Sequence, residues 1–94
     1  MRIELVERFQ RDVAALPTDQ RAALFDVLLA LHQALQSPHT HAGLGLRKIH
    51  PTGVWETRVG LGLRLVFALA AGTLTRVRVG SHHEIRRYLR SLEP

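Results

Sequence analysis

Halfway along this chain the spacing of apolar residues changes from a helical period to a period of two, and that switch leaves few folds open. Arg2 to Leu5 reads as a short strand. Val6, Phe9, Val13 and Leu16 then recur at helical spacing, so a first helix runs to about Leu16, where Pro17 stops it. Thr18 is suited to cap a second helix that begins at Asp19. Ala22, Leu24, Phe25, Leu28, Leu29, Leu31, His32 and Leu35 carry it to about Gln36. Two amphipathic helices joined by so short a turn form an antiparallel hairpin. Ser37 to Gly45, with Pro38, Gly43 and Gly45, reads as a loop.

Beyond it the alternation begins. Val54 to Val59, Leu63 to Leu69 and Thr73 to Val79 are three strand-like runs, separated by Gly60-Leu61-Gly62 and Ala71-Gly72. Tight turns between them make an antiparallel meander. Gly80 and Ser81 end it, and Glu84 to Leu92 reads as a short closing helix. The expected fold is α+β, an N-terminal helical hairpin packed on a small antiparallel sheet with a short C-terminal helix. Ninety-four residues make one domain, 1–94, with no room for a cofactor domain or a lid over a substrate.

Strand parity points to a function. On the middle strand Leu63, Leu65, Phe67 and Leu69 share one face, which must be the core, and Arg64 points the other way. The same parity sets Glu56 and Arg58 against Trp55, Thr57 and Val59, and Arg76 and Arg78 against Thr75, Val77 and Val79. With the apolar set inward, Arg58, Arg64, Arg76 and Arg78 are expected on one exposed face, and Trp55 in the core.

Charge agrees with that placement. Of the net +5, residues 1–46 contribute −1 (four arginines against five carboxylates). Residues 47–94 contribute +6 (eight arginines and Lys48 against three glutamates). A one-sided basic patch is the footprint of a polyanion binder, and arginine forks suit phosphate. The second half has no acidic counterpart within it, so an acidic partner is expected over the basic face of the sheet. The chain has no cysteine, which excludes a disulfide framework or a cysteine zinc finger. The N-terminus lacks a signal-peptide pattern, and the longest apolar run, Leu65 to Ala71, is too short for a membrane span. The expectation is a cytoplasmic protein without a membrane partner.

Leu46-Arg47-Lys48-Ile49, Gly53-Val54-Trp55-Glu56-Thr57-Arg58-Val59-Gly60 and Leu63-Arg64-Leu65-Val66-Phe67 follow one another in an order that resembles the RelE/ParE toxin superfamily. Val77-Arg78-Val79-Gly80-Ser81-His82-His83-Glu84 is similar to that family's next signature. What the resemblance implies is the toxin of a bacterial toxin–antitoxin pair, neutralised by a small antitoxin and meeting DNA only through it. RelE-like members cut mRNA on the ribosome without a metal. ParE-like members share the fold and poison DNA gyrase, and a catalytically silent binding module is a third reading. A titrating residue near Arg64 favours the nuclease, because gyrase binding needs no such group.

Metal-free RNA cleavage needs a base for the 2′-hydroxyl, cations for the charge building on the phosphate, and an acid for the leaving 5′-oxygen. The resemblance places Arg64 at the family's most constant arginine and Arg58 at a position that is often basic. His82 stands where the family has arginine or histidine, and Tyr88 at the spacing of a C-terminal tyrosine. His82, Tyr88 and Glu56 remain alternatives for the general base. A tyrosine would need a cationic field to serve, for which Arg86, Arg87 and Arg90 are at hand. Arg47, Lys48, Arg76, Arg78, Arg86 and Arg87 are candidate RNA-binding residues. Two departures from the family pattern are Leu63, in place of an aromatic before the arginine, and Glu56, in place of a lysine. His39 with His41, and His82 with His83, are too few ligands for zinc, and no metal or other cofactor is expected.

Overall fold

The computed structural model describes residues 2–36, 45–70 and 72–92. The elements in chain order are β1 (Arg2–Leu5), α1 (Glu7–Ala14), α2 (Thr18–Gln36), β2 (Arg47–His50), β3 (Val54–Val59), β4 (Leu63–Ala70), β5 (Thr73–Ser81) and α3 (His82–Ser91). The expected α+β organisation is present. The loop read over Ser37–Gly45 falls outside the described residues except for Gly45.

The sheet is larger and more mixed than the meander read from the sequence. It has five strands in the order β1-β5-β4-β3-β2. β2 to β5 are antiparallel in succession, whereas β1 pairs in parallel with β5, from Arg2 opposite Thr73 to Leu5 opposite Arg76. The parallel pair is possible because α1 and α2 intervene in the chain before the sheet resumes. β2 escaped the sequence reading because Arg47-Lys48-Ile49-His50 has no apolar alternation. Charged residues are typical of an exposed edge strand, which is its place in the sheet.

Helices cover both faces. Phe9 of α1 and Leu24, Leu28 and Leu31 of α2 pack on Val59, Leu63, Leu65, Phe67, Leu74 and Val79 to form the main core. Trp55 is half-buried against that core, on the inward parity expected of it. On the opposite face α3 lays Ile85 over Val54 and Val66, with Ile49, Val77, Tyr88 and Leu89 around them. The face expected to be wholly exposed is therefore half covered, and what remains open is its end near β2 and the β3–β4 turn.

One register shift corrects the parity argument. Val66 pairs with Arg78 but Phe67 pairs with Arg76, so Val77 is an extra residue in β5. The bulge moves Arg76 onto the face of Phe67 and Leu74, away from Arg58 and Arg64. There it is half-buried, its guanidinium pKa is lowered by desolvation, and its Nε is sealed from solvent without a hydrogen-bond partner.

Arg78 keeps the expected parity but is not free. Its Nε donates to Asp12 Oδ2 at 2.8 Å, and the backbone N–H of Val79 donates to the same oxygen at 3.2 Å. Asp12 of α1 thus holds the edge of β5 beyond the point where β1 ends. It also gives the basic second half an acidic counterpart that charge counting by halves had not found.

Candidate functional site

The β3–β4 hairpin sets the geometry. Val59 pairs with Leu63 across the three-residue turn, whose Gly60 takes φ of 62°, a left-handed conformation that glycine adopts freely. The next pair outward on the other face is Arg58 opposite Arg64. Directly opposed side chains in an antiparallel pair have Cβ atoms ~4.5–5.5 Å apart, so the two guanidinium groups rise from adjoining points. On its other side Arg64 is opposite Gly80 of β5, where a Cβ would meet the Glu84 side chain at 3.2 Å.

The start of α3 is fixed by a reciprocal cap. Ser81 Oγ accepts from the Glu84 N–H at 3.2 Å, and Glu84 Oε1 accepts from the Ser81 N–H at 3.1 Å. The Ser81 N–H donated to the carboxylate, and then the Ser81 side chain, hold the Glu84 carboxyl below its ordinary pKa against a smaller opposing effect of burial, with lesser contributions from Arg78 and Arg87. Ser81 itself pairs with Leu63. His82, the first residue of the helix, therefore follows directly on the strand beside Arg64.

The result is a cleft of about 470 Å³ lined by Arg47, Glu56, Arg58, Arg64 and His82 on its polar side, with Val27 of α2 also at its wall. Arg47 and Glu56 are opposed across β2 and β3, so the glutamate stands among four basic side chains. Among the described residues no carboxylate forms an ion pair with Arg58 or Arg64. Arg64 Nη1 reaches only the neighbouring Leu63 carbonyl, at 3.4 Å. A second depression of about 450 Å³ shares Arg47, Glu56 and His82 with the first, and adds Lys48 and Arg86.

Tyr88 lies elsewhere. It lines a separate cleft of about 260 Å³ with Arg8, Arg78 and Arg87. Arg78 stacks on its ring at 5.7 Å from the centroid. Burial raises the phenol pKa, and Arg78 opposes that only in part. The field expected from Arg86, Arg87 and Arg90 is thus not what governs this group. Its cation is Arg78, and the net shift is away from use as a base.

The structure brings together Arg47, Arg58, Arg64 and His82, with Lys48 and Arg86 adjoining. It leaves Tyr88, Arg87 and Arg78 on the other side of α3, and Arg76 on the other side of the sheet. His83 and Arg90, which the sequence reading did not assign to the site, line a further depression with Arg86 and Leu89. The signal was available, because His82, Arg86 and Arg90 recur every four residues and so form one helical stripe. Among the described residues no three potential metal ligands cluster, and His39 and His41 lie outside them. Nor is any described helix long and apolar enough to cross a membrane.

No protein-family model matches this sequence, and no curated protein matches it. Solved structures do. The chain is similar to the RelB–RelE antitoxin–toxin complex from Methanococcus jannaschii, with a TM-score of 0.68 and 20% identity over 90% of this chain and 96% of that one. It is also similar to YafQ from E. coli, with a TM-score of 0.66 and 19% identity over 90% and 98%. To the YoeB/ParE toxin from Agrobacterium tumefaciens the TM-score is 0.64, at 19% identity over 87% and 99%. Matches that span both chains almost completely show that this chain has the fold of the RelE-like toxin superfamily.

Proposed function

We propose that the chain is the toxin of a toxin–antitoxin pair, and that it cuts mRNA on the ribosome at the cleft of Arg58, Arg64 and His82. The observation that carries this reading is the company in that cleft: two opposed arginines without an ion-pair partner among the described residues, a histidine and a glutamate. Arg58 and Arg64 bind the reacting phosphate and stabilise the negative charge that grows on its oxygens. Glu56 takes the proton of the 2′-hydroxyl as its oxygen attacks phosphorus. His82 gives a proton to the 5′-oxygen as the P–O5′ bond breaks. The products are a 2′,3′-cyclic phosphate and a free 5′-hydroxyl, and no metal or redox group is required. A ribosome would supply the walls that hold the substrate in line.

Antitoxin neutralisation is supported by the partners named with the similar structures, RelB among them, and by the uncompensated charge at the cleft. Expression of the chain without its partner tests the reading. Growth arrest with cleaved mRNA is the expected result. Arrest with intact mRNA and a DNA-damage response would instead make it a gyrase poison.

A further inference from the structure

The cleft does not end at His82. The depression that adds Lys48 and Arg86 continues it, and the one lined by His83, Arg86, Leu89 and Arg90 shares Arg86 and Leu89 with that continuation. Together they make one groove from the Arg58–Arg64 pair along α3. The helix rises about 12 Å between His82 and Arg90. Its stripe of His82, Arg86 and Arg90 faces the groove, while Ile85 is buried beneath the helix. Leu89 and Ile49 give the floor an apolar character, and all the charged groups beyond Glu56 are cationic. The rings of His82 and His83 meet edge to face, with centroids 6.3 Å apart, and both residues are exposed.

We propose that this groove is a binding subsite for a single-stranded RNA segment next to the reacting phosphate, with Arg86 and Arg90 on its phosphates and His83 stacked on a base. The proposal rests on the reading that the chain acts on RNA. Spacing of ~3.4 Å per stacked nucleotide, and roughly twice that when splayed, gives two to three nucleotides along the helix. Guanidinium groups interleaved with aromatic faces over an apolar floor are how proteins hold unpaired strands. Depressions of about 450 Å³ each are of ligand size. A partner helix, ~10–12 Å across with its side chains, would need a broader seat.

The test is equilibrium binding, read by anisotropy, of a labelled hexanucleotide RNA carrying 2′-O-methyl groups, which the full chain can bind but not cut. Replacing Arg86 and Arg90 together by Gln should weaken binding roughly tenfold and lower the salt slope by about two. His83→Ala should weaken binding with the slope unchanged, and Arg11→Gln, on the exposed side of α1, should do neither. Binding within twofold of wild type in the double variant, while Arg64→Gln still loses affinity, would overturn the subsite and leave the catalytic cleft standing. No binding by the wild-type chain would overturn both. A ten-residue glutamate peptide that competes more strongly than the hexanucleotide, with the same dependence on Arg86 and Arg90, would give the groove to an acidic protein segment and overturn the RNA assignment.

Discussion

Arg58 and Arg64 face each other directly across the β3–β4 hairpin, two like charges on one face of the sheet. Opposed like charges destabilise a strand pair by ~0.2–1 kcal/mol, and among the described residues no carboxylate forms an ion pair with either to offset it. A bound phosphate would. Arg58→Ala or Arg64→Ala should therefore abolish RNA cleavage while leaving Tm unchanged or raising it by up to about 8 °C. Thermal unfolding beside a cleavage assay checks both halves, and a variant that unfolded early would give the pair a structural role instead.

Asp12 is the opposite case, a carboxylate whose work is structural. One oxygen holds Arg78 and the Val79 N–H, and the other accepts from Arg8 at 3.2 Å. The Asp12 and Arg78 side chains are only 8% and 14% exposed. Asp12→Ala strands a nearly buried cation and a backbone donor, at a cost of about 2–4 kcal/mol. Denaturant unfolding would show it, and a loss under about 0.5 kcal/mol would mean that the edge of β5 is held by something else.

The cap of α3 gives a pH signature. The folded-state pKa of Glu84 lies below its ordinary 4.5. Its stabilising contribution is therefore present above that ordinary value and lost as pH falls through the folded-state pKa. Ser81→Ala removes the hydroxyl that caps Glu84 N and should cost about 1 kcal/mol near neutral pH. Stability measured from neutral pH down to about 3 should show the gap between wild type and variant narrowing on the acid side. A constant gap would detach the Glu84 shift from the cap.

Much of this was legible in the sequence, for identifiable reasons. Strand parity found the Arg58–Arg64 face because β3 and β4 pair without interruption. It failed at Arg76, because a single extra residue at Val77 reverses every side chain before it and leaves no mark in the alternation. The role of Asp12 was invisible for another reason: it lies 66 residues from Arg78, and only the fold brings them together. α3 was legible as a helix but not as a divider. That Tyr88 and His82 open on different clefts follows from their rotation about the helix axis, which six residues of separation already encode.

The two clefts separate the acid/base candidates. Tyr88→Phe keeps the ring under Arg78 and removes only a hydroxyl whose deprotonation burial disfavours. It should leave single-turnover cleavage within about threefold of wild type. His82→Gln should slow the chemical step by ~10²–10⁴-fold with little change in RNA binding. The reverse order of effects would transfer the chemistry to the Arg78 side of α3.

The end groups on cut mRNA bear on the whole mechanism at once. After expression of the chain, the 3′ ends created within messages should carry a 2′,3′-cyclic phosphate opposite a 5′-hydroxyl, and His82→Gln and Arg64→Ala should lose them. Cut messages that end in a 3′-hydroxyl opposite a 5′-phosphate, or cyclic ends undiminished in both variants, would contradict attack by the 2′-oxygen in the Arg58–Arg64–His82 cleft.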